Sequence, residues 1–292
     1  RQGVGFQPDL LWVKERSSNS SHQVVDAVRG IYKRMNTNTT AGESDDSSSP
    51  GNFSSFDSDG FSILSGGGVN ASNDTYVAWC WDETATAGFD IVTYTGTGST
   101  NNVSHSLSAV PHVMIVKRRD DDGNYWVVYH HKNTAAPETD YLRLDGTGAT
   151  VDDTSRWNDT APTSSVYTVQ DSSQVNGSSN TYITYLWSEK QGYSKFGSYT
   201  GNGDADGAFI YTGFKPAFIM FKRTSGTADW QILDNKRSPE NVANEKLKPN
   251  LSDAESTSTA NQIDFLSNGV KIRASNDETN GSGSTYVYMA FA

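Results

Sequence analysis

Cysteine is almost absent from this 292-residue sequence, since Cys80 is the only one. A single thiol cannot form an intramolecular disulfide or a zinc site that needs several cysteines. Cys80 stands between Trp79 and Trp81 in an apolar stretch, so we interpret it as a buried, unreactive thiol. A β-rich protein of this length without disulfides is typical of synthesis in a bacterial cytoplasm.

Long apolar runs and an excess of positive charge are also missing. No run approaches the length of about 18 apolar residues that a membrane-spanning helix needs, and no secretion signal is visible. Lysine and arginine together number 23 against 34 aspartates and glutamates, which gives a net charge of −11. We therefore expect no membrane insertion, and no nucleic-acid binding through contacts to phosphates.

One aromatic stretch is present three times. It covers residues 75–81, 181–187 and 285–291, and each copy follows a turn rich in Asn, Ser and Gly. The leading tyrosines, Tyr76, Tyr182 and Tyr286, lie roughly 105 positions apart, a period typical of repeated domains rather than of solenoid repeats. The sequence predicts three units, at residues 1–84, 88–190 and 195–292.

A second repeated stretch confirms the period. Pro8, Pro111 and Pro216 each open an apolar run, and the three runs end at Lys14, Lys117 and Lys222. Proline suits the first position of a strand because it lacks a backbone donor. We predict a core strand after each proline, with its terminal lysine emerging into solvent.

The fold class follows from short apolar strands separated by turn residues. Asp59-Gly60 and Asn268-Gly269 are strong hairpin signals. The pattern predicts an all-β protein of tandem antiparallel β-sandwich units, jelly-roll or lectin-like, in three repeats of about 100 residues. The best helix candidate is residues 24–35, where apolar residues are loosely spaced.

One further strand opens the second and third units only. Residues 88–98 and 195–203 share Tyr-Thr-Gly-x-Gly at their ends, and the first unit has no counterpart. We expect sequence upstream of Arg1 to supply this strand, and an extended chain to be more stable to heat.

The longest variable stretches, 33–52, 130–165 and 235–260, are expected to be surface loops that carry recognition. Trp157, beside Arg156, could stack on a sugar ring or anchor its loop to the sandwich. His130 and His131 are further ligand-contact candidates, although neighbouring strand residues point to opposite faces and cannot simply chelate one metal. Asp120, Asp121 and Asp122 form either a solvated hairpin tip or a calcium site.

No catalytic motif stands out. There is no Gly-x-Ser-x-Gly elbow, Cys80 has no obvious base nearby, and no acidic residue recurs at a matching core position in all three units. We therefore expect a protein that is not an enzyme and uses no metal and no cofactor.

Several long phrases resemble a family of tailed-bacteriophage virion proteins, described as tail-fibre or tail-associated and found in phages of marine bacteria. The phrases are residues 5–14, 56–61, 76–81, 192–203 and 286–292, so the resemblance spans nearly the whole chain. It implies a structural or receptor-contacting part of the virion, with no catalytic residues to carry over.

These observations together predict a tail or fibre protein that attaches the particle to host-surface glycans. We expect it in the virion, beside other virion proteins, as a homo-oligomer and most simply a trimer. Two alternatives remain: a purely structural protein such as a capsid decoration, and a polysaccharide-degrading tail enzyme.

Overall fold

The computed structural model of the protein describes residues 1–47, 52–65 and 68–292, and over these residues the fold is all-β. The only helical turns described are two short 3-10 helices, Pro137–Thr139 and Thr259–Asn261. None of the described helices has the length and apolar character needed to cross a membrane.

Residues 1–84 are called segment 1, and their described part (1–47, 52–65 and 68–84) forms seven strands: β1 (Leu10–Glu15), β2 (Gln23–Asp26), β3 (Lys33–Asn36), β4 (Ser44–Asp45), β5 (Phe53–Asp57), β6 (Gly60–Ile63) and β7 (Tyr76–Trp81). Residues 88–190, segment 2, form eight: β8 (Phe89–Thr95), β9 (Asn101–Ser104), β10 (Val113–Arg118), β11 (Trp126–His130), β12 (Asp140–Arg143), β13 (Val151–Asp152), β14 (Val166–Val169) and β15 (Thr181–Trp187).

Residues 195–292, together with Ser194, form nine strands and are called segment 3. They are β16 (Ser194–Thr200), β17 (Phe209–Tyr211), β18 (Phe218–Arg223), β19 (Gln231–Asp234), β20 (Glu245–Lys246), β21 (Ser256–Thr257), β22 (Ile263–Leu266), β23 (Gly269–Ile272) and β24 (Thr285–Phe291). Each proline-led run predicted from sequence is a strand that begins two residues after its proline, and both predicted hairpins are present.

The predicted helix at residues 24–35 is wrong. Val24 and Val25 belong to β2, whose β-branched side chains pack well in a sheet, and Met35 belongs to β3. Between these strands the chain turns, and Gly30 takes a positive φ of 98° that a helix does not allow.

Each segment has a large antiparallel sheet with the same central order. The aromatic strand that closes each segment (β7, β15 or β24) pairs with its proline-led strand (β1, β10 or β18), and that strand pairs with β2, β11 or β19. In segments 2 and 3 the other edge of the closing strand pairs with the opening strand, β8 or β16. All pairings are antiparallel.

A small second sheet covers one face of each large sheet. These small sheets are β5–β6, β9–β14 and β17–β23–β22. A separate apolar cluster lies in each segment: Phe53 and Phe61 belong to the first, Tyr167 and Val103 to the second, and Ile210 to the third.

The opposite faces of the three large sheets meet in one shared core. Along each closing strand, residues of the shared core alternate with residues of that segment's own apolar cluster. In β15, Tyr185 and Trp187 face the shared core, whereas Leu186 faces the apolar cluster of segment 2. At its centre, Trp81 lies 6.3 Å from Trp187 and 5.8 Å from Phe291, measured between ring centroids. All three segments therefore bury aromatic surface against one another.

The lysines that end the proline-led strands were expected in solvent, and this is wrong. Lys14, Lys117 and Lys222 are all fully buried, and burial lowers the pKa of each to about 8. Their ammonium groups instead donate to backbone carbonyls. Lys117 Nζ reaches Thr40 O in segment 1 at 3.2 Å, and Lys222 Nζ reaches Thr147 O in segment 2 at 3.2 Å.

Each seam between two segments contains backbone hydrogen bonds, and the seams follow a cyclic order. The amide of Glu43 donates to Arg119 O at 2.7 Å, that of Thr150 to Thr224 O at 3.0 Å, and that of Glu255 to Arg16 O at 2.9 Å. Segment 1 is thus held by segment 2, segment 2 by segment 3, and segment 3 by segment 1.

Side chains join the segments in the same cyclic order. Each contact lies where the closing strand of one segment meets the end of β2, β11 or β19 in another segment, and we call these places corners 1, 2 and 3 in that order. At corner 1, Tyr185 Oη donates to Asp26 at 2.8 Å. At corner 3, Trp79 Nε1 donates to Asp234 at 3.1 Å. At corner 2, His130 Nε2 lies 3.1 Å from Tyr288 O.

Candidate functional site

Trp157 lies inside the fold. Its side chain is 1% exposed, its Nε1 donates to Asp140 O at 2.9 Å, and its ring meets Tyr129 edge-on. Arg156 covers the Tyr141 ring at 4.6 Å and is also buried. Of the two alternatives given for Trp157, the structure shows the one in which the side chain anchors its loop to the sheets. Its ring has no open face for a sugar.

His130 and His131 lie at the seam between segments 2 and 3. His130 Nε2 contacts Tyr288 O, and His131 Nε2 lies 2.7 Å from Phe196 O. Burial lowers the pKa of His130 to about 3 and that of His131 to about 4, so both rings are neutral near pH 7. The Nε2 atoms of both rings therefore make contacts between segments.

The carboxylates at 120–122 border segment 1. Asp120 accepts from Arg118 Nε at 2.7 Å and from the Thr181 amide at 3.0 Å, while Asp122 accepts from the Gly42 amide at 2.7 Å. The Arg118 guanidinium and the Thr181 amide together hold the pKa of Asp120 below its usual value, against the opposing effect of burial. Over the described ranges, no group of three His, Cys, Asp or Glu side chains is placed to hold a metal ion.

The structure thus does not bring the sequence candidates together into one site. Parts of all three variable stretches also form the seams, through residues such as Glu43, Thr147 and Glu255.

Segment 3 carries a polar pocket of about 380 Å³ in the stretch that follows β19. Lys215, Lys236 and Glu240 are exposed at its rim. The Asn241 side chain is already used, since its amide donates to Phe265 O and accepts from the Phe265 amide. The pocket offers charged groups to a ligand and no open aromatic face, because Phe265 is 4% exposed.

An aromatic pair stands out on the outer face of the small sheet of segment 3. Phe209 is 46% exposed and Tyr211 is 64% exposed, the latter the highest value among the large hydrophobic side chains described as exposed. Between them, Ile210 is 3% exposed and packs inward. Residues two apart on a strand share a face and lie about 6.8 Å apart, so the two rings form one surface, which we call the aromatic patch.

The neighbouring strand shapes the patch. Gly269 lies opposite Tyr211, and a Cβ added to it would come within 2.9 Å of the Phe209 ring and 2.2 Å of Ile210 O. A side chain at position 269 would therefore clash with the Ile210 carbonyl oxygen as well as with the Phe209 ring. The glycine predicted for the hairpin turn thus also leaves room for the aromatic patch.

Charged groups border the patch. Lys271 lies opposite Phe209 in the sheet, and its Nζ is 3.0 Å from Asp206. Arg273 Nε is 2.9 Å from Asp264. The hydrogen bond from Lys271 holds the pKa of Asp206 below its usual value, so this carboxylate is ionised near neutral pH.

Segment 2 has the same strand without the aromatic side chains. In β9, Val103 packs inward as Ile210 does, and Asn102 and Ser104 stand where Phe209 and Tyr211 stand in β17. Aromatic rings at these positions are therefore not required to build the small sheet.

Sequence reasoning missed this patch. The signal is the phrase Phe209-Ile210-Tyr211, in which an apolar residue is flanked by two aromatics with a glycine on either side at Gly207 and Gly213. Alternation in a short strand predicts that the outer two side chains share a face opposite the middle one.

Comparison with known proteins gives one match. No curated protein and no solved structure matches the chain. A family model described as a domain of unknown function (DUF7483) matches residues 1–292, so the chain belongs to this family.

Proposed function

We propose that this protein is a structural component of a bacteriophage tail or fibre and attaches the virion to glycans on the host surface, with the aromatic patch as its sugar-binding face. The sequence resemblance supports the virion assignment. The observation that carries the attachment role is the exposure of Phe209 and Tyr211 together on one strand face.

The chemistry of the patch suits a sugar. Aromatic rings offer flat apolar faces to the C–H side of a pyranose, and neighbouring charged groups can bond its hydroxyls. Lys271, Asp264 and Arg273 supply such groups beside the rings. Because Ile210 and the pairing with β23 hold the strand in place, little conformational entropy is lost when a ligand binds.

Attachment by this route depends on copy number. A single shallow patch gives weak binding, and several patches on one particle raise the overall affinity by increasing the effective concentration. We propose a homo-oligomer, with a trimer as the simplest form, exposed on the outside of the virion among other virion proteins.

The test uses the full chain, immobilised host-surface polysaccharide and intact host cells. Tyr211→Ala should weaken binding at least about tenfold, because stacking on an exposed ring is lost, and Phe209→Ala should act in the same direction. Ser104→Ala and Asn102→Ala are the matched controls at the equivalent positions of β9, and they should bind like the unaltered protein. Thermal unfolding of each variant checks that the fold is kept.

Binding of Tyr211→Ala and Phe209→Ala at the unaltered level would contradict the patch as the attachment site. The virion assignment is tested separately by labelling particles with an antibody against this chain. Label on tails or fibres is expected. Label ringed on capsid faces would favour the decoration alternative, and sugars released from the polysaccharide by the protein would indicate an enzyme.

A further inference from the structure

The polar pocket of segment 3 carries two lysines that have no ionic partner. It is lined by residue 215, the turn after β19 and Phe265 of β22, and its volume of about 380 Å³ lies in the range of small-ligand pockets. Lys215 and Lys236 are exposed, and so is Glu240. Within the described ranges none of the three takes part in an ion pair. The pocket thus holds two positive charges against one negative charge, on a chain whose net charge is −11.

The charged groups that flank the pocket in the chain are already paired. Asp234 accepts from the backbone amides of Lys236 and Arg237 at 3.1 and 2.9 Å, and Arg237 Nε lies 2.6 Å from the same carboxylate. Arg237 Nη1 also lies 2.8 Å from Glu255. Because Asp234 has these partners, the ammonium group of Lys236 remains available to an anion from solvent.

Hydrogen bonds fix the walls of the pocket. The Asn241 side chain donates to Phe265 O at 3.1 Å and accepts from the Phe265 amide at 2.9 Å. The Asn235 amide donates to Ala217 O at 2.8 Å, which holds the turn after β19 beside the start of β18. A pocket with fixed walls loses little conformational entropy when it binds a ligand.

The two lysines are not needed to build these turns. Lys215 directly precedes the proline that leads β18, and Lys236 lies two residues after the end of β19. The equivalent positions are Gln7 and Val28 in segment 1 and Val110 and Lys132 in segment 2. The same pairs of strands form in all three segments, so the pair of lysines is a property of segment 3, which also carries the aromatic patch.

Tyr211 links the pocket to the aromatic patch. A Cβ built on Gly213 would come within 3.7 Å of Tyr211 Oη, so the hydroxyl end of this ring lies beside Gly213. Lys215 follows two residues later, at most about 7 Å further along the backbone. A glycan of a few sugar units is long enough to contact both the rings and this lysine.

We propose that the pocket binds the anionic group of an acidic host-surface glycan, a carboxylate or a phosphate, while a neighbouring sugar of the same glycan stacks on the aromatic patch. The proposal rests on the attachment role proposed above and names the class of glycan. A lysine ammonium group donates charge-assisted hydrogen bonds to either kind of oxygen anion. Glu240 repels such an anion, so the two lysines supply the affinity and Glu240 reduces it.

The test uses the full chain and host-surface polysaccharide in three forms: untreated, with its carboxyl groups reduced to alcohols, and with its phosphate groups removed. The untreated form should bind, and one of the two treatments should weaken binding at least about fivefold, because charge-assisted hydrogen bonds are lost. Loss on carboxyl reduction assigns the pocket to a sugar carboxylate, and loss on phosphate removal assigns it to a sugar phosphate. Binding should also weaken as the salt concentration rises.

Variants separate the pocket from the aromatic patch. Lys215→Gln and Lys236→Gln should each weaken binding to the untreated form about fivefold, and Glu240→Gln should strengthen it about twofold. Lys132→Gln, at the exposed position of segment 2 equivalent to Lys236, is the matched control and should bind like the unaltered protein. All four variants should bind equally to the polysaccharide form that lacks the anionic group, a result that a purely structural role of the lysines would not give.

Chemical labelling locates the contact. Acetylation of exposed lysines, read by mass spectrometry, should slow several-fold at Lys215 and Lys236 when the untreated polysaccharide is bound, and should not change at Lys132. Unchanged labelling of Lys215 and Lys236 would overturn the proposal.

Normal binding by Lys215→Gln and Lys236→Gln, or equal binding of all three polysaccharide forms, would overturn it as well. If Tyr211→Ala still weakened binding in that case, the attachment role would stand with a neutral glycan at the aromatic patch. Weaker binding by Glu240→Gln would show that the pocket takes a cationic or hydroxyl group instead of an anion. No binding of the untreated form by the unaltered protein would contradict the attachment role itself, and the anion site with it.

Discussion

Corners 1 and 3 around the shared core are charged, whereas corner 2 is neutral. Asp26 and Asp234 are each followed three residues later by a buried arginine, Arg29 or Arg237, with Nε 2.6 Å from the carboxylate. At corner 2 the corresponding residue is His130, which binds the Tyr288 carbonyl as a neutral ring. The same position in the fold is thus satisfied by two kinds of chemistry.

The difference shows what a corner requires. A buried charge is tolerated only when it is paired and fully hydrogen-bonded, and Asp234 has Arg237, Trp79 and two backbone amides as partners. The neutral corner needs fewer partners, because an imidazole costs less to bury. Complete hydrogen bonding, rather than charge, is what the three corners share.

Of the variants that test this comparison, Asp234→Ala should lower the free energy of unfolding most. It leaves Arg237, 2% exposed in its side chain, with one carboxylate partner, Glu255, and removes the acceptor of Trp79 Nε1. We expect a loss of about 3–5 kcal/mol in the free energy of unfolding, measured with denaturant. Asp253→Ala, at an exposed site, should change it by less than about 0.5 kcal/mol.

The double variant Asp234→Leu, Arg237→Met sharpens the same point. It removes both charges of the pair and keeps apolar volume, so the part of the loss that comes from the poorly paired Arg237 charge should be recovered. The part that comes from the lost acceptor of Trp79 Nε1 should remain. If the double variant were as unstable as the single one, the unpaired Arg237 charge would not be a cause of the loss at corner 3.

The neutral histidine at corner 2 predicts that the free energy of unfolding depends on pH. In the unfolded chain His130 titrates near pH 6.5, whereas burial lowers its pKa to about 3 in the fold, so the unfolded state binds a proton first as the pH falls. Stability contributed by His130 should be constant above about pH 6.5 and fall by about 1.4 kcal/mol per pH unit below it.

At pH 5 this loss amounts to about 2 kcal/mol. His130→Gln keeps a donor and cannot be protonated, so its unfolding free energy should vary less between pH 7 and pH 5 than that of the unaltered protein. Parallel curves for the two proteins would show that His130 is not the buried neutral group described here.

Tyr185→Phe should give the smallest effect. It removes the hydroxyl that donates to Asp26 and accepts from Arg29 Nη2 at 3.2 Å, but leaves the Asp26–Arg29 pair in place. We expect a loss of about 1.5 kcal/mol by denaturant unfolding. Tyr129→Phe is the control, because in the described residues the Tyr129 hydroxyl makes no hydrogen bond. A loss of that size in Tyr129→Phe would show that removing any tyrosine hydroxyl, not this hydrogen bond, is responsible.

Much of the fold could be predicted from the sequence. Strands after Pro8, Pro111 and Pro216 and the hairpins at Gly60 and Gly269 depend on local chemistry, which a sequence displays directly. The buried lysines could not be predicted, because carbonyls such as Thr40 O come from another segment. The shared core could not be predicted for the same reason, because its contacts, such as that of Trp81 with Phe291, join residues far apart in the chain.

The candidate site was missed for a different reason. The aromatic strands that close each segment drew attention by their repetition, and repetition marks the core. Phe209 and Tyr211 occur in one segment only, and their equivalents in β9 are polar. A residue pair that departs from the repeat is the feature that we propose as the binding site.

The central claim is that the three segments share one core and unfold together. Differential scanning calorimetry of the full chain tests it most directly, since a single cooperative transition makes the calorimetric and van't Hoff enthalpies equal. We predict one transition with equal enthalpies, which Asp234→Ala shifts to lower temperature without splitting. Two or three separate transitions, or a van't Hoff enthalpy near one third of the calorimetric value, would contradict the shared core.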